Sequence, residues 1–405
     1  IKMTQQRSLD LECEAFISLV NTKESKNLIR IFFLQEASKK LTCKGWKPQS
    51  IKPVEDVAVI GSGIMGAGIC QWLSSRGLRV LLKDVGTKQI SSGLKSIGDL
   101  FVAGVLRKKF DRPTARKNIA NISTTARNVP LTNKDIIIEA ISENIDIKTR
   151  ALQELEEAAG DDTILATNTS ALSITTLSTN LKRPENFIGI HFFNPVHKMK
   201  LVEIVVGKHT SDNTIARAVE FVKQIGKLPV IVKDSPGFLV NRILLPYLVE
   251  AMKLVEVGHS PTAIDRAVVR FGMPMGPLRL LDEIGLDVGV HVATDLSDRL
   301  KNLSLPGCIK TIMDSDHRGR KSGAGFYIYN KKKLSENTEL VNSIQRTVKS
   351  RDDPNVDSLI QVMIDEANKC LEEGVIQDSD MLDFAMIMGT GWAPFRGGPI
   401  QFSKS

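Results

Sequence analysis

Three glycines and an aspartate carry the most specific chemistry in this chain. Gly61, Gly63 and Gly66 stand in G-x-G-x-x-G spacing directly after the short apolar run Val57–Ile60, and the amphipathic stretch Ile64–Arg76 follows them. A second apolar run, Val80–Leu82, ends at Asp84. Strand, glycines, helix, strand and acid in that order are what a dinucleotide site requires. Gly61 permits the tight turn out of the strand, Gly63 lets a pyrophosphate lie against bare backbone, and Gly66 brings the helix close to the strand. The unpaired N–H groups of the helix N-terminus would face the anion. Asp84 would accept hydrogen bonds from the adenosine ribose and repel a 2′-phosphate. Val85, Gly86 and Thr87 supply no arginine to relieve that repulsion, and alternation turns Lys83 away. The expected cofactor is NAD rather than NADP.

A dinucleotide that accepts a hydride needs a partner group for the proton, and histidine titrates in the right range. His191 follows the apolar run Phe187–Ile190, where ligands meet an open α/β sheet. It opens HFFNPVHKMKLVEIV, in which Asn194-Pro195 makes a turn and Leu201–Val206 returns as a strand carrying Glu203. A carboxylate on one ring nitrogen would fix the tautomer and steady the imidazolium. The spacing allows a His191–Glu203 pair, and equally a histidine that caps a turn, with His197 as a rival. His209, His259, His291 and His317 fall in turns, helices or linkers without such a setting. Ser170 closes the strand-end segment LATNTS, and Asn241 opens a long helix just past Asp234-Ser-Pro-Gly237. Each suits either a ligand contact or a helix cap.

The elements that must hold these groups follow an alternating grammar. Apolar runs recur at Ile136–Ile138, Thr163–Ala166, Phe187–Ile190, Leu201–Val206 and Leu228–Val232, with helical stretches such as Ile145–Ala159 and Asn213–Ile225 between them. That predicts an open, mostly parallel, doubly wound sheet over residues 54–235. Beyond Pro236 the pattern is helical with no strand candidates. EAMKLVEVG (Glu250–Gly258) recurs as EANKCLEEG (Glu366–Gly374), each followed by a helix opening at Asp265 or Asp383 and then a Gly/Pro turn. We therefore expect an all-α module in two copies, residues 236–350 and 351–405. HRGRKSGAGFYIY (His317–Tyr329) reads as a structural crossing between them. Residues 1–53 form a prelude with a helix at Ser25–Lys40 and a linker at Gly45–Pro48. The fold class is thus α/β plus all-α, a Rossmann-type sheet followed by a duplicated helical domain.

Composition bounds the rest. The 405 residues carry a net charge of +8, but the basic residues are dispersed and aromatics are 5%, so a nucleic-acid partner is not expected. A mildly basic surface also suits a polyanionic small substrate. No apolar run approaches the roughly 20 residues of a bilayer span. The five cysteines are scattered without a C-x-x-C pair, which fits reduced thiols in an intracellular reducing compartment and no metal site.

The glycine triplet, ATNTSALSIT, HFFNPVHKMKLVEIV and DSPGFLVNRIL together resemble the L-3-hydroxyacyl-CoA dehydrogenases, over nearly the whole chain from about Val54. The doubled helical unit and GRKSGAGFYIY resemble the dehydrogenase part of multifunctional fatty-acid β-oxidation enzymes. The resemblance implies that His191 is the base and Glu203 its partner, and that Ser170 and Asn241 contact the reacting part of an acyl-CoA. It places Glu143 and Asn144 beside the nicotinamide, with Lys148 one helical turn on. The expected cofactor set is Gly61, Gly63, Ile64, Met65, Gly66, Asp84, Glu143, Asn144, Lys148 and Asn168. The prelude SKNLIRIFFLQEASKK looks like the helix that follows an enoyl-CoA hydratase domain in those enzymes. The hydratase carboxylates would then lie upstream of Ile1, and the end at Ser405 looks clipped. A homodimer is compatible with this reading. Ser403-Lys404-Ser405 resembles a peroxisomal address without its leucine, which tilts the expected compartment towards the peroxisome over the cytoplasm or the mitochondrial matrix.

Overall fold

A computed structural model of the chain describes residues 4–43, 45, 51–299, 303–330, 333–345 and 354–404. Most of the Gly45–Pro48 linker and the expected 350/351 boundary lie outside these residues. The described chain divides into two units, one from Ser38 to Phe238, the other formed by residues up to Ala37 and from Leu239 onward.

The first unit is an eight-stranded sheet. Its strands are β1 (Asp56–Ile60), β2 (Arg79–Lys83), β3 (Ile122–Thr125), β4 (Ile136–Glu139), β5 (Ile164–Thr167), β6 (Phe187–Phe192), β7 (Leu201–Val206) and β8 (Leu228–Lys233), in the order β3-β2-β1-β4-β5-β6-β7-β8. All neighbours are parallel except β6 and β7. The central strands read as unbroken apolar runs because both faces are covered. Every residue of β4, β5 and β6 is buried. Helix Ile64–Ser75 contributes Ala67, Ile69, Cys70 and Leu73 to the core, against Val57, Val59, Val80 and Ile138. The edge strand β3, Ile122-Ser-Thr-Thr125, was not among the expected runs. It has one apolar residue and two exposed positions, so it carries no buried-strand pattern.

The second unit is helical, with one correction. Tyr327–Asn330 (β9) and Lys333–Glu336 (β10) pair antiparallel, so the half expected to lack strands contains a hairpin. The short Tyr-rich run falls in the glycine-rich crossing, and strand pairing there depends on a partner too polar to show apolar alternation. That crossing is fixed by Asp282, which accepts from the N–H groups of Phe326 (2.8 Å) and Tyr327 (2.9 Å).

The duplication is present in the packing. Helices Val240–Glu256 and Val356–Glu372 pack together, and buried Arg242 of the first donates to Glu366 of the second at 2.7 Å. The following helices, Pro261–Phe271 and Ser379–Thr390, begin four residues earlier than expected in both copies. Ser260 and Asp378 supply their N-caps, so the aspartates expected at their openings lie inside them. Asp265 accepts from Leu278 and Arg279 N–H, and Asp383 accepts from Ile400 and Gln401 N–H. Each carboxylate caps the helix that begins after its Gly-Pro turn.

Candidate active site

β6 and β7 are antiparallel with His191 directly opposite Glu203, so both side chains leave the same face. His191 Nδ1 lies 2.7 Å from Glu203 Oε2, and the two side chains are 5% and 0% exposed. A buried carboxylate at that nitrogen favours the Nδ1–H tautomer and leaves Nε2 with its lone pair free to act as a base. The ring is walled by Phe193 and Phe238, at centroid distances of 4.5 and 5.6 Å. His191 is the fifth residue of β6, because the strand runs two residues beyond Ile190. The Asn194-Pro195 bond in the connection to β7 is cis. The rival His197 sits half-buried on that connection. Burial first, then the charges of Lys109, Lys198 and Arg107, lower its pKa, and no carboxylate bonds it among the described residues.

Beside β6, the end of β5 supplies a second group of polar side chains. Asn168 Oδ1 accepts from Phe192 N–H at 2.8 Å, tying this segment to the residue after His191. Ser170 N–H donates to Glu143 Oε1 at 2.7 Å, and Thr169 Oγ1 donates to the same oxygen. Asn144 caps helix Ile145–Ala158, its Oδ1 accepting from Ile147 N–H at 3.0 Å. Lys148, in the first turn of that helix, is buried. Its Nζ lies 2.7 Å from Glu139 Oε1 and 3.4 Å from Glu143 Oε2. Asn241 is the second residue of Val240–Glu256 and belongs to the helical unit. The apolar run expected over Ile136–Ile138 stops one residue short of Glu139, which closes the strand. Its signal was the same as that of Asp84: an acid closing an apolar strand.

The glycine loop fits a dinucleotide. Gly61 has φ +103°, and a Cβ there would stand 2.5 Å from the carbonyl oxygen of Ala140. A Cβ on Gly66 would collide with the carbonyl of Gly61, whereas Gly63 faces open space. Gly63 also offers no side-chain cap to helix Ile64–Ser75, and Ile64 in its first turn is exposed. The helix N-terminus is therefore open to an anion. Asp84 Oδ2 accepts from Ser62 N–H (2.7 Å) and Ser62 Oγ (2.6 Å), and Oδ1 accepts from Val85 N–H (2.7 Å). The carboxylate is held at the lip of the loop, where an adenosine ribose would lie. Among the described residues no group of three or more His, Cys, Asp or Glu is placed to hold a metal. No described helix is long and apolar enough to cross a membrane.

Fold and loop together define an NAD-binding protein of Rossmann type. Residues 56–235 match the NAD binding domain of 3-hydroxyacyl-CoA dehydrogenase, and residues 237–329 match its C-terminal domain. The chain belongs to the 3-hydroxyacyl-CoA dehydrogenase family. It is 37% identical to a fatty acid oxidation complex subunit alpha of Acinetobacter baylyi, over 98% of this chain and 57% of that protein. The chain therefore spans little more than half the length of such relatives. Among solved structures, 3-hydroxybutyryl-CoA dehydrogenase of Escherichia coli is similar with a TM-score of 0.76 and 27% identity, over 87% of this chain and 92% of that one. The dehydrogenase part of multifunctional enzyme 1 from C. elegans is similar with a TM-score of 0.61 and 29% identity, over 90% of this chain and 88% of that one.

Proposed function

We propose that this chain oxidises (S)-3-hydroxyacyl-CoA to 3-ketoacyl-CoA in fatty-acid oxidation, with His191 as general base and Glu203 as its partner. The observation that carries this reading is the buried His191–Glu203 hydrogen bond at the carboxyl end of β6, in a sheet built for NAD. Bound NAD supplies the hydride acceptor. His191 Nε2 takes the proton of the 3-hydroxyl as the C3 hydrogen leaves, and Glu203 stabilises the imidazolium. Ser170 and Asn241 hold the substrate oxygens in the reacting geometry. Gly61, Gly63, Ile64, Met65 and Gly66 cradle the cofactor phosphates and Asp84 takes its ribose, while Glu143, Asn144, Lys148 and Asn168 frame the nicotinamide end. The test is an NADH assay on acetoacetyl-CoA and longer 3-ketoacyl-CoAs. NADH-dependent reduction of this series is expected, and NADH binding without turnover would overturn the reading.

These residues carry the dehydrogenase step alone, hydration belonging to a further domain in a longer protein. The exposed apolar side chains of helix Lys23–Lys39 support this. In Lys23–Lys39, Ile31 and Leu34 are buried, whereas Leu28, Phe32 and Phe33 are about half exposed or more, at 50%, 59% and 63%. A surface helix needs one apolar stripe, and these side chains lie beyond it. The purified chain should leave crotonyl-CoA unchanged in the absence of NAD. Hydration at an enzymatic rate would refute the assignment.

A further inference from the structure

Glu139 closes β4 as a completely buried carboxylate, and each of its contacts leads towards the site. Oε1 accepts from Lys148 Nζ and Ile141 N–H, both at 2.7 Å, and Oε2 accepts from Thr167 Oγ1 at 2.6 Å. Lys148 is itself 1% exposed, and its ammonium also faces Glu143 Oε2 at 3.4 Å. Glu143 stands at the rim, 37% exposed, and its other oxygen accepts from Thr169 Oγ1, Ser170 N–H and, at 3.4 Å, Ala171 N–H. Thr167 forms a second arm, its Oγ1 accepting from Thr169 N–H at 3.3 Å. The main chain adds a third: Asn168 N–H donates to the carbonyl of Glu139 at 2.8 Å, and Asn168 holds the N–H of Phe192 next to His191.

A buried ion pair is poor value for stability, since desolvating both charges consumes most of their attraction. Two carboxylates around one buried ammonium are worse balanced still. Such a cluster is better explained by what it orients. Resting on the reading of the site above, we propose that Glu139 is a positioning residue for the dehydrogenase reaction. Through Lys148 it fixes Glu143, and Glu143 fixes the Thr169–Ala171 backbone that presents Ser170 to the substrate. Glu139 divides the Lys148 ammonium between two carboxylates. Without its charge the ammonium draws Glu143 inward, off the Ser170 N–H.

The experiment is a double-mutant cycle on kcat/KM with acetoacetyl-CoA, using Glu139→Gln, Glu143→Gln and the pair, with NADH affinity and thermal midpoint measured for each. In the folded Glu139→Gln variant kcat/KM is expected to fall by about 10- to 100-fold while NADH affinity stays within about twofold. In the Glu143→Gln background the same change should cost less than about threefold, because both substitutions break one chain. Independent, multiplying losses, a loss that follows NADH affinity, or no loss would each overturn the proposal. Where Glu139→Gln does not fold, Glu139→Met, which removes the same charge at similar volume, replaces it in the cycle with the same expected and refuting outcomes. A parent protein without turnover would instead refute the underlying reading of the site.

Discussion

Replacing Glu203 by glutamine isolates one charge. The amide has the same size and keeps an oxygen able to accept from His191 Nδ1–H across the 2.7 Å contact, so tautomer and ring orientation survive. What disappears is the negative charge facing the imidazolium that forms as His191 takes the hydroxyl proton. Both side chains are buried, so water restores little of it. With charge centres about 4–5 Å apart and an effective dielectric near 20, the lost attraction is roughly 3–4 kcal/mol. The amide dipole returns about a third of that, leaving on the order of a hundredfold in kcat. Stopped-flow or steady-state oxidation of (S)-3-hydroxybutyryl-CoA by NAD, the direction in which the imidazolium forms, reads this directly. KM should change little, because the interaction strengthens only as the proton moves. A folded Glu203→Gln variant that turns over within about threefold of the parent would remove Glu203 from the mechanism.

Three further outcomes are expected. NADH should support far faster turnover than NADPH, because Asp84 meets the 2′-phosphate; comparable kcat/KM for the two would refute that placement. Arg30→Ala should lower stability by about 2–4 kcal/mol, since Arg30 donates to the fully buried carboxylate of Asp383 at 2.9 Å and to the Gly397 carbonyl at 2.7 Å. An unchanged denaturation midpoint would show the contact to be dispensable. Burial pushes the Asp282 carboxyl up to about 6 from an ordinary 3.8, so the native state binds the extra proton between those values. Its stabilisation is complete below the lower value and is lost as pH rises through the higher, so the midpoint of the parent minus that of Asp282→Asn should fall from about pH 4 to about pH 7. A difference that grows with pH would contradict this sign.

The parts legible in the sequence were those where one physical requirement dominates. β4, β5 and β6 are covered on both faces, so hydrophobicity alone marks them, and the glycine loop shows because only glycine fits at Gly61 and Gly66. β3 was invisible because an edge strand with an exposed serine and an exposed threonine is held by backbone pairing to β2 rather than by burial. The His191–Glu203 contact lay between these cases. Strand type and turn were readable, but alternation alone does not set a register, and the antiparallel pairing of β6 with β7 supplies it. Glu139 escaped for the opposite reason. A lone acid after three isoleucines looks like the end of a strand, and the partners that make its burial tolerable, the Lys148 ammonium, the Ile141 N–H and the Thr167 hydroxyl, come from outside that strand.

The two helical copies satisfy an equivalent buried aspartate with different donors. In the first copy Asp265 caps the next helix and receives the hydroxyl of Tyr327 at 2.8 Å, from the hairpin that the crossing builds. In the second copy Asp383 caps its helix in the same way. Its remaining acceptor capacity is met by Arg30, reaching in from helix Lys23–Lys39. The same helix anchors Asn27 to the carbonyl of Phe395 at 2.9 Å, in the Gly/Pro turn of that copy. A buried aspartate needs a third donor beyond two helix N–H groups, and the chain has met this need twice with different elements. Helix Lys23–Lys39 thus ties the start of the described chain to the helical unit, which is why residues far apart in sequence share one compact body.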